Sequence, residues 1–133
     1  MPKSDKETTA VDLATKNWRI YAGCRCRPEE VAEGAGYDLR CVHKHVEVKG
    51  TGDKHPGFRL LTAGEFDAAR RDPLFELWLV TGIEVATGIF HIVSRQEVLS
   101  SAKPTIHWQL PIGKKRLGDF RKEAIERERR ARG

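Results

Sequence analysis

Asp38, Glu47 and Lys49 are the residues of this chain whose types and spacing could do chemistry. They lie in one stretch, GYDLRCVHKHVEVKG, running from Gly36 to Gly50, which reads as a short β-hairpin. With the turn centred on His43 and Lys44, Asp38 faces Lys49 and Arg40 faces Glu47 across the two strands. Side chains two apart share a face, so Asp38, Arg40, Val42, His45, Glu47 and Lys49 gather on one side, and Leu39, Cys41, Val46 and Val48 on the other. One face is expected to be core and the other to carry the chemistry. Two carboxylates within diagonal reach, beside a lysine, suit a divalent cation: Mg²⁺ takes oxygen ligands, typically one or two carboxylates with substrate phosphate and water. The same charges also make ordinary cross-strand pairs, each worth roughly 0.2–1 kcal/mol on a solvated face. On residue types alone the two readings stand level.

Other groups carry weaker signals. Cys24-x-Cys26 and Cys41-x-His43-x-His45 are zinc-type ligands, but their i, i+2 spacing on expected strands lacks the usual C-x2–4-C knuckle, and Cys41 faces away from His45. Buried thiols and a polar turn are the expectation. His55 and His91 read as loop and strand histidines, and Trp108, with His107 beside it, as a core residue of an alternating strand rather than a base-stacking platform. The net charge of +5 sits at the C-terminus: nine Lys/Arg against four acids fall between Lys114 and Gly133, so residues 1–113 are neutral overall. Phe120, Ala124 and Ile125 there are at helical spacing, with Glu123/Arg127 and Glu126/Arg130 four apart, which describes a solvated helix. The sharper reading makes Lys114, Lys115, Arg116, Arg121 and Lys122 contacts of an arm that tracks a phosphate backbone.

The elements that must position these residues follow from periodicity. Ser4 and Glu7 form a capping-box pattern ahead of Ala10, Leu13, Ala14 and Trp18, which predicts a helix over residues 5–16. Alternation from Trp18 to Cys24 predicts a strand, and RPEEVAEGAG a loop or short helical turn. Phe58 to Leu61 is a short strand, and Thr62 with Glu65 caps a helix that ends near Asp72, before Pro73. Leu74 to Ile83 is nearly continuous in apolar residues, as in a strand buried on both faces. A strand over 88–94, a short helix capped by Ser94 and Glu97, and the strand TIHWQL, with Pro111 suiting an edge, complete the set. The pattern is α/β: one domain with a mixed central sheet flanked by helices.

Length and composition agree with that architecture. At 133 residues, 39% hydrophobic and 32% charged, the chain is expected to fold as one domain with a core of its own. No apolar run approaches the ~18 residues of a membrane span and MPKSDKETTA lacks a signal-peptide core, so a cytoplasmic protein with reduced thiols and no membrane partner is expected.

The spacing D-x8-E-x-K resembles the signature of the PD-(D/E)XK nuclease superfamily, in which an Asp on one strand and an E-x-K on the next bind metal and orient the attacking water. Over a longer span, GYDLRC, VEVKGT, FRLLTAGEFDAARR and FELWLVTGI resemble the domain family named for the carboxyl terminus of the plant protein NO VEIN, a family of unknown function placed in that superfamily. The resemblance covers roughly residues 10–93 and implies a restriction-endonuclease-like domain over 1–113 followed by the basic helical tail over 114–133.

Carried over by position, the resemblance makes Asp38 and Glu47 metal ligands, with the Val48 backbone carbonyl completing the set, and Lys49 the residue that polarises water or neutralises phosphate charge. Whether Lys49 acts as base or as cation stays open, as does Glu7, which is either the extra carboxylate of the first helix or the capping partner of Ser4. The implied activity is Mg²⁺- or Mn²⁺-dependent hydrolysis of nucleic-acid phosphodiester bonds, with DNA as the expected partner, in restriction or genome defence, from a homodimer or larger complex. Two alternatives remain: a catalytically weak nuclease-fold module that binds nucleic acid or joins a larger assembly, and a small zinc-binding adaptor.

Overall fold

The computed structural model describes residues 5–32, 34–53, 56–83, 88–104 and 108–133, apart from the side chains of Phe58 and Leu60. The Ser4 cap, His55, His107 and the first residues of the TIHWQL strand lie outside the described residues. Helix α1 spans Asp5–Lys16 and α2 Trp18–Ala22; strands β1 (Glu29–Glu30), β2 (Leu39–Arg40), β3 (His45–Gly50) and β4 (Phe58–Leu61) follow. After them come α3 (Ala63–Arg71), β5 (Phe75–Thr81), β6 (Ile89–Ser94), α4 (Arg95–Ser101), β7 (Lys103–Pro104), β8 (Trp108–Pro111) and α5 (Lys114–Arg132).

Strands β1-β2-β3-β5-β6 form a mixed sheet in that order, with β3 and β5 parallel and the other neighbours antiparallel. The parallel pair needs a crossover, and the segment through β4 and α3 supplies it. Every residue of β5 is buried, as its continuous apolar run predicts for a strand covered on both faces. Alternate residues feed two cores. Leu39, Val46, Val48, Trp78 and Val80 pack against α1, α2 and Ala124 of α5. Phe75, Leu77, Leu79 and Val93 pack against Leu61, Ala68, Ala69, Val98, Leu110, Leu117 and Phe120. No helix among the described residues is long and apolar enough to cross a membrane.

Four expectations are corrected. Residues 18–22 are helical, not a strand: Trp18, Tyr21 and Ala22 form the buried side of α2, and Tyr21 stacks on Phe90 with ring centroids 4.2 Å apart. Alternation over so short a run does not separate period 2 from period 3.6, and packing of Trp18 on Trp78, 5.1 Å between centroids, decides. A second sheet, β4-β8-β7, exists beside the first, and β8 is its middle strand, with Pro111 placed at the strand end rather than at an edge. The C-terminal helix is docked, not simply solvated, because Leu117, Phe120 and Ala124 are buried. Ile125, by contrast, is exposed.

The fourth correction concerns the hairpin. Leu39 pairs with Val46 and Arg40 with His45, so the turn is centred on Val42 and His43 and closes through the Cys41 N–H to the Lys44 carbonyl at 2.9 Å. Each partner is displaced by two residues from the predicted register. An even displacement keeps every side chain on its predicted face. It also takes Asp38 from opposite Lys49 to the neighbourhood of Glu47. Neither face is solvated around the site, because Val46 and Val48 pack against α1 and α2 on one side and α3 lies over the face that carries the charges.

Candidate functional site

β3 holds Glu47 and Lys49 on one face, and Asp38, just before β2, joins them. All three are buried, at 5% (Asp38), 2% (Glu47) and 6% (Lys49) exposure, which few ionisable side chains tolerate without partners. Asp38 is anchored: its Oδ2 accepts the Val48 N–H at 2.8 Å, and its own N–H donates to the Val46 carbonyl at 2.8 Å. The segment reaching it needs Gly36, whose φ is +88° and whose absent Cβ would stand 2.7 Å from both the Ala68 Cβ and the Gly64 carbonyl oxygen. The glycine of G-Y-D therefore lets this segment lie directly on α3.

Lys49 Nζ donates to Glu65 Oε2 at 2.8 Å and lies 3.3 Å from Glu47 Oε2 and 3.9 Å from Glu7 Oε1. Glu65 has two tasks. Its Oε1 accepts the Thr62 N–H at 2.9 Å, closing the capping box of α3 with the Thr62 Oγ1, and its other oxygen holds the lysine. Glu7 reaches the site because α1 crosses the end of β3 at Gly50, where a Cβ would stand 2.7 Å from the Ala10 Cβ. Its Oε1 accepts from Arg59 of β4 at 3.0 Å. Three carboxyls, those of Glu65, Glu47 and Glu7, thus lie around Lys49, and Glu7 also holds Arg59. A small cavity of about 120 Å³ borders them, lined by Lys49, Thr51, Asp53, Arg59 and Thr81 among others.

The electrostatics are uneven. Burial, and then the facing charges of Asp38 and Glu65, push the Glu47 carboxyl well above its ordinary range, against the pull of Lys49. Burial works against the charge on Lys49, but Glu47, Glu65 and Glu7 outweigh it and hold the ammonium above its usual value. For Glu65, burial is likewise outweighed, chiefly by Lys49, and its carboxyl is lowered. The firm ion pair is Lys49 with Glu65. Glu47 is left over: its Oε2 is buried without a hydrogen-bond partner among the described residues, although Lys49 is near. A buried oxygen with no hydrogen-bond donor among the described residues, next to a second carboxyl group, fits a divalent cation on Asp38 and Glu47.

Sequence reading found Asp38, Glu47, Lys49 and the choice over Glu7; the structure brings all four together. It missed Arg59 and the second task of Glu65, whose only signal was the capping box directly after β4. It also missed Glu76, buried on the opposite face of β5, where Arg127 forks onto it at 2.7 and 2.9 Å, Trp78 Nε1 donates at 2.9 Å, and Lys44 lies 3.4 Å away. Of the basic tail residues, Lys114 and Lys115 are exposed. Lys122 and Arg116 pair with Asp119 and Glu97, and Arg121 is drawn inward onto Glu128 at 2.8 Å and the Phe90 carbonyl at 3.2 Å.

Residues 6–93 match the family described as the C-terminal region of protein NO VEIN. The chain belongs to that family. The matched span covers about two thirds of the sequence and contains α1 and the sheet strands through β6 but for one terminal residue of each of α1 and β6, together with Glu7, Asp38, Glu47, Lys49, Arg59 and Glu65. No curated protein matches the chain.

Proposed function

We propose that this NO VEIN C-terminal domain is a metal-dependent nuclease of the PD-(D/E)XK type that hydrolyses phosphodiester bonds, with DNA as its substrate. The observation that supports the reading is Glu47 Oε2, a buried carboxyl oxygen without a hydrogen-bond donor among the described residues, beside Asp38 and a lysine engaged by Glu65. The order α1, β2, β3, α3, β5, with the acid at β2 and E-x-K on the inner strand β3, is compatible with a restriction-endonuclease-like core. Asp38, Glu47 and the Val48 carbonyl would hold Mg²⁺ or Mn²⁺, which when bound supplies Lewis-acid polarisation of the phosphate and a lowered pKa for water. The chain's own groups do the rest. Lys49, kept protonated by its acids, acts as a cation that orients the attacking water and offsets developing phosphate charge, rather than as a base. Glu65 keeps that ammonium in place, and Arg59 brings a second positive charge to the adjoining cavity.

The burial of Asp38, Glu47 and Lys49 favours one other reading, a module that binds nucleic acid with little or no cleavage. Cleavage of plasmid DNA, single-stranded DNA and RNA with and without Mg²⁺ or Mn²⁺ separates the two, with binding measured in parallel. Wild type should cut only with metal, and Lys49→Ala should lose on the order of 10²-fold in rate while binding persists, because one transition-state charge contact is removed. Equal rates in both proteins would take Lys49 out of the mechanism. Binding without cleavage by wild type under every condition would establish the module reading instead.

A further inference from the structure

Three thiols converge on the side of the domain away from the buried acids. Cys24 and Cys26 lie in the loop after α2, and Cys41 opens the β2–β3 turn. Their sulfurs all lie within 4.8 Å of one another, in the one group of three or more metal-type ligands found among the described residues, and all three cysteines are free and half-buried. Cys24 Sγ and Cys41 Sγ are 3.6 Å apart. Two thiolates sharing a tetrahedral Zn²⁺ at ~2.3 Å would stand about 3.8 Å apart, so the pair already has the spacing of two corners of such a site. The C-x-C spacing lacks the usual C-x2–4-C knuckle, but Cys24 and Cys26 lie in a loop after α2 rather than on a strand, and that loop brings both sulfurs to Cys41.

A backbone donor and basic side chains surround the sulfurs. The His43 N–H donates to Cys41 Sγ at 3.3 Å, the amide-to-sulfur contact that supports a bound thiolate from outside the ligand shell. Arg25 and Lys44 line the same cavity as Cys24, and Arg27 lines one beside Cys26, so positive charge surrounds what would be an anionic three-sulfur centre.

We propose that Cys24, Cys26 and Cys41 form a zinc site, with the fourth position taken by water. Zinc there ties the Gly23–Pro28 loop to the turn three residues from Asp38. It would act as a structural clasp on the segment that presents the acidic site, independent of any cation at Asp38 and Glu47.

The test is metal analysis of the full chain purified under reducing conditions and dialysed against Zn²⁺, with cysteine alkylation followed by mass spectrometry. About one zinc per chain is expected, together with slow alkylation of all three cysteines that becomes fast on chelation. Co²⁺ in place of zinc should give the sulfur-to-metal charge-transfer absorption of a thiolate site. Cys24→Ser, Cys26→Ser and Cys41→Ser should each weaken zinc binding by at least about 100-fold, the upper end of what loss of an outer-shell partner costs. Glu47→Gln should retain the zinc. The alkylation arm uses the unaltered chain and so does not depend on the serine variants folding. Zinc-independent alkylation of wild type, loss of zinc in Glu47→Gln, or a Cys24–Cys41 disulfide as the isolated form would each overturn the site.

Discussion

Glu47→Gln should stabilise the fold while destroying its proposed cation site. Glu47 is 2% exposed, its Oε2 lacks a hydrogen-bond donor among the described residues, and Asp38 and Glu65 face it with like charge. Lys49 compensates only in part, since it sits 2.8 Å from Glu65 and 3.3 Å from Glu47. A buried acceptor left without a partner costs about 1–3 kcal/mol, and the amide keeps the shape, removes the charge and offers an N–H₂ to the facing carboxylates. A gain of that size near neutral pH corresponds to a rise in Tm on the order of 5–10 °C for a domain of this length. The sign with pH follows from the raised Glu47 carboxyl, which in the folded state sits above its ordinary 4.5. Stability associated with the neutral carboxyl is present below that ordinary value and is lost as pH rises toward the folded one. The advantage of the variant should therefore vanish in acid, grow with rising pH, and then level off. Thermal or urea unfolding in chelator-treated buffer across that range measures it. Added Mn²⁺ should raise the Tm of wild type with concentration and leave the variant unmoved. A variant less stable than wild type at neutral pH, by the same amount in acid, would refute the account of Glu47 as an uncompensated buried acid.

Arg127→Ala strands Glu76 in the interior of the sheet and should cost about 3 kcal/mol or more, measured by urea unfolding. Burial opposes the charge on Glu76, but Arg127 outweighs it and lowers the carboxyl, so that contribution is present above the ordinary value of 4.5 and the deficit of the variant should shrink as pH falls through the folded value. Gly36→Ala meets both a positive φ and the Ala68 and Gly64 contacts and should cost about 1–3 kcal/mol; an unchanged Tm would show that Gly36 does not constrain the path to Asp38. If the exposed tail lysines meet phosphate, Lys114, Lys115 and Lys122 changed together to Gln should flatten the salt dependence of DNA binding by up to ~0.9 in slope per lost contact. Substitution is the appropriate perturbation there, because deleting the helix would also remove the buried Leu117, Phe120 and Ala124.

Local chemistry explains what the sequence determined by itself. The period-3.6 stripe of α1, the Thr62/Glu65 box of α3, the apolar run of β5 and the assignment of Asp38, Glu47 and Lys49 to one face depend on neighbours a few residues apart, so they are legible without tertiary information. The face assignment survived even an error of two residues in the hairpin register, because side-chain parity has period two. What required the tertiary structure was every partner distant in the chain. Lys49 finds Glu65 across the crossover, Glu7 finds Arg59 between α1 and β4, and Arg127 finds Glu76 from the far end of the sequence. The strength of the Lys49–Glu65 pair comes from the burial of β3, a property of the packed sheet that no local pattern in a charged strand announces. Cys24, Cys26 and Cys41 teach the same lesson: their spacing argued against a common site, and only the turn from α2 into its loop set the three sulfurs side by side.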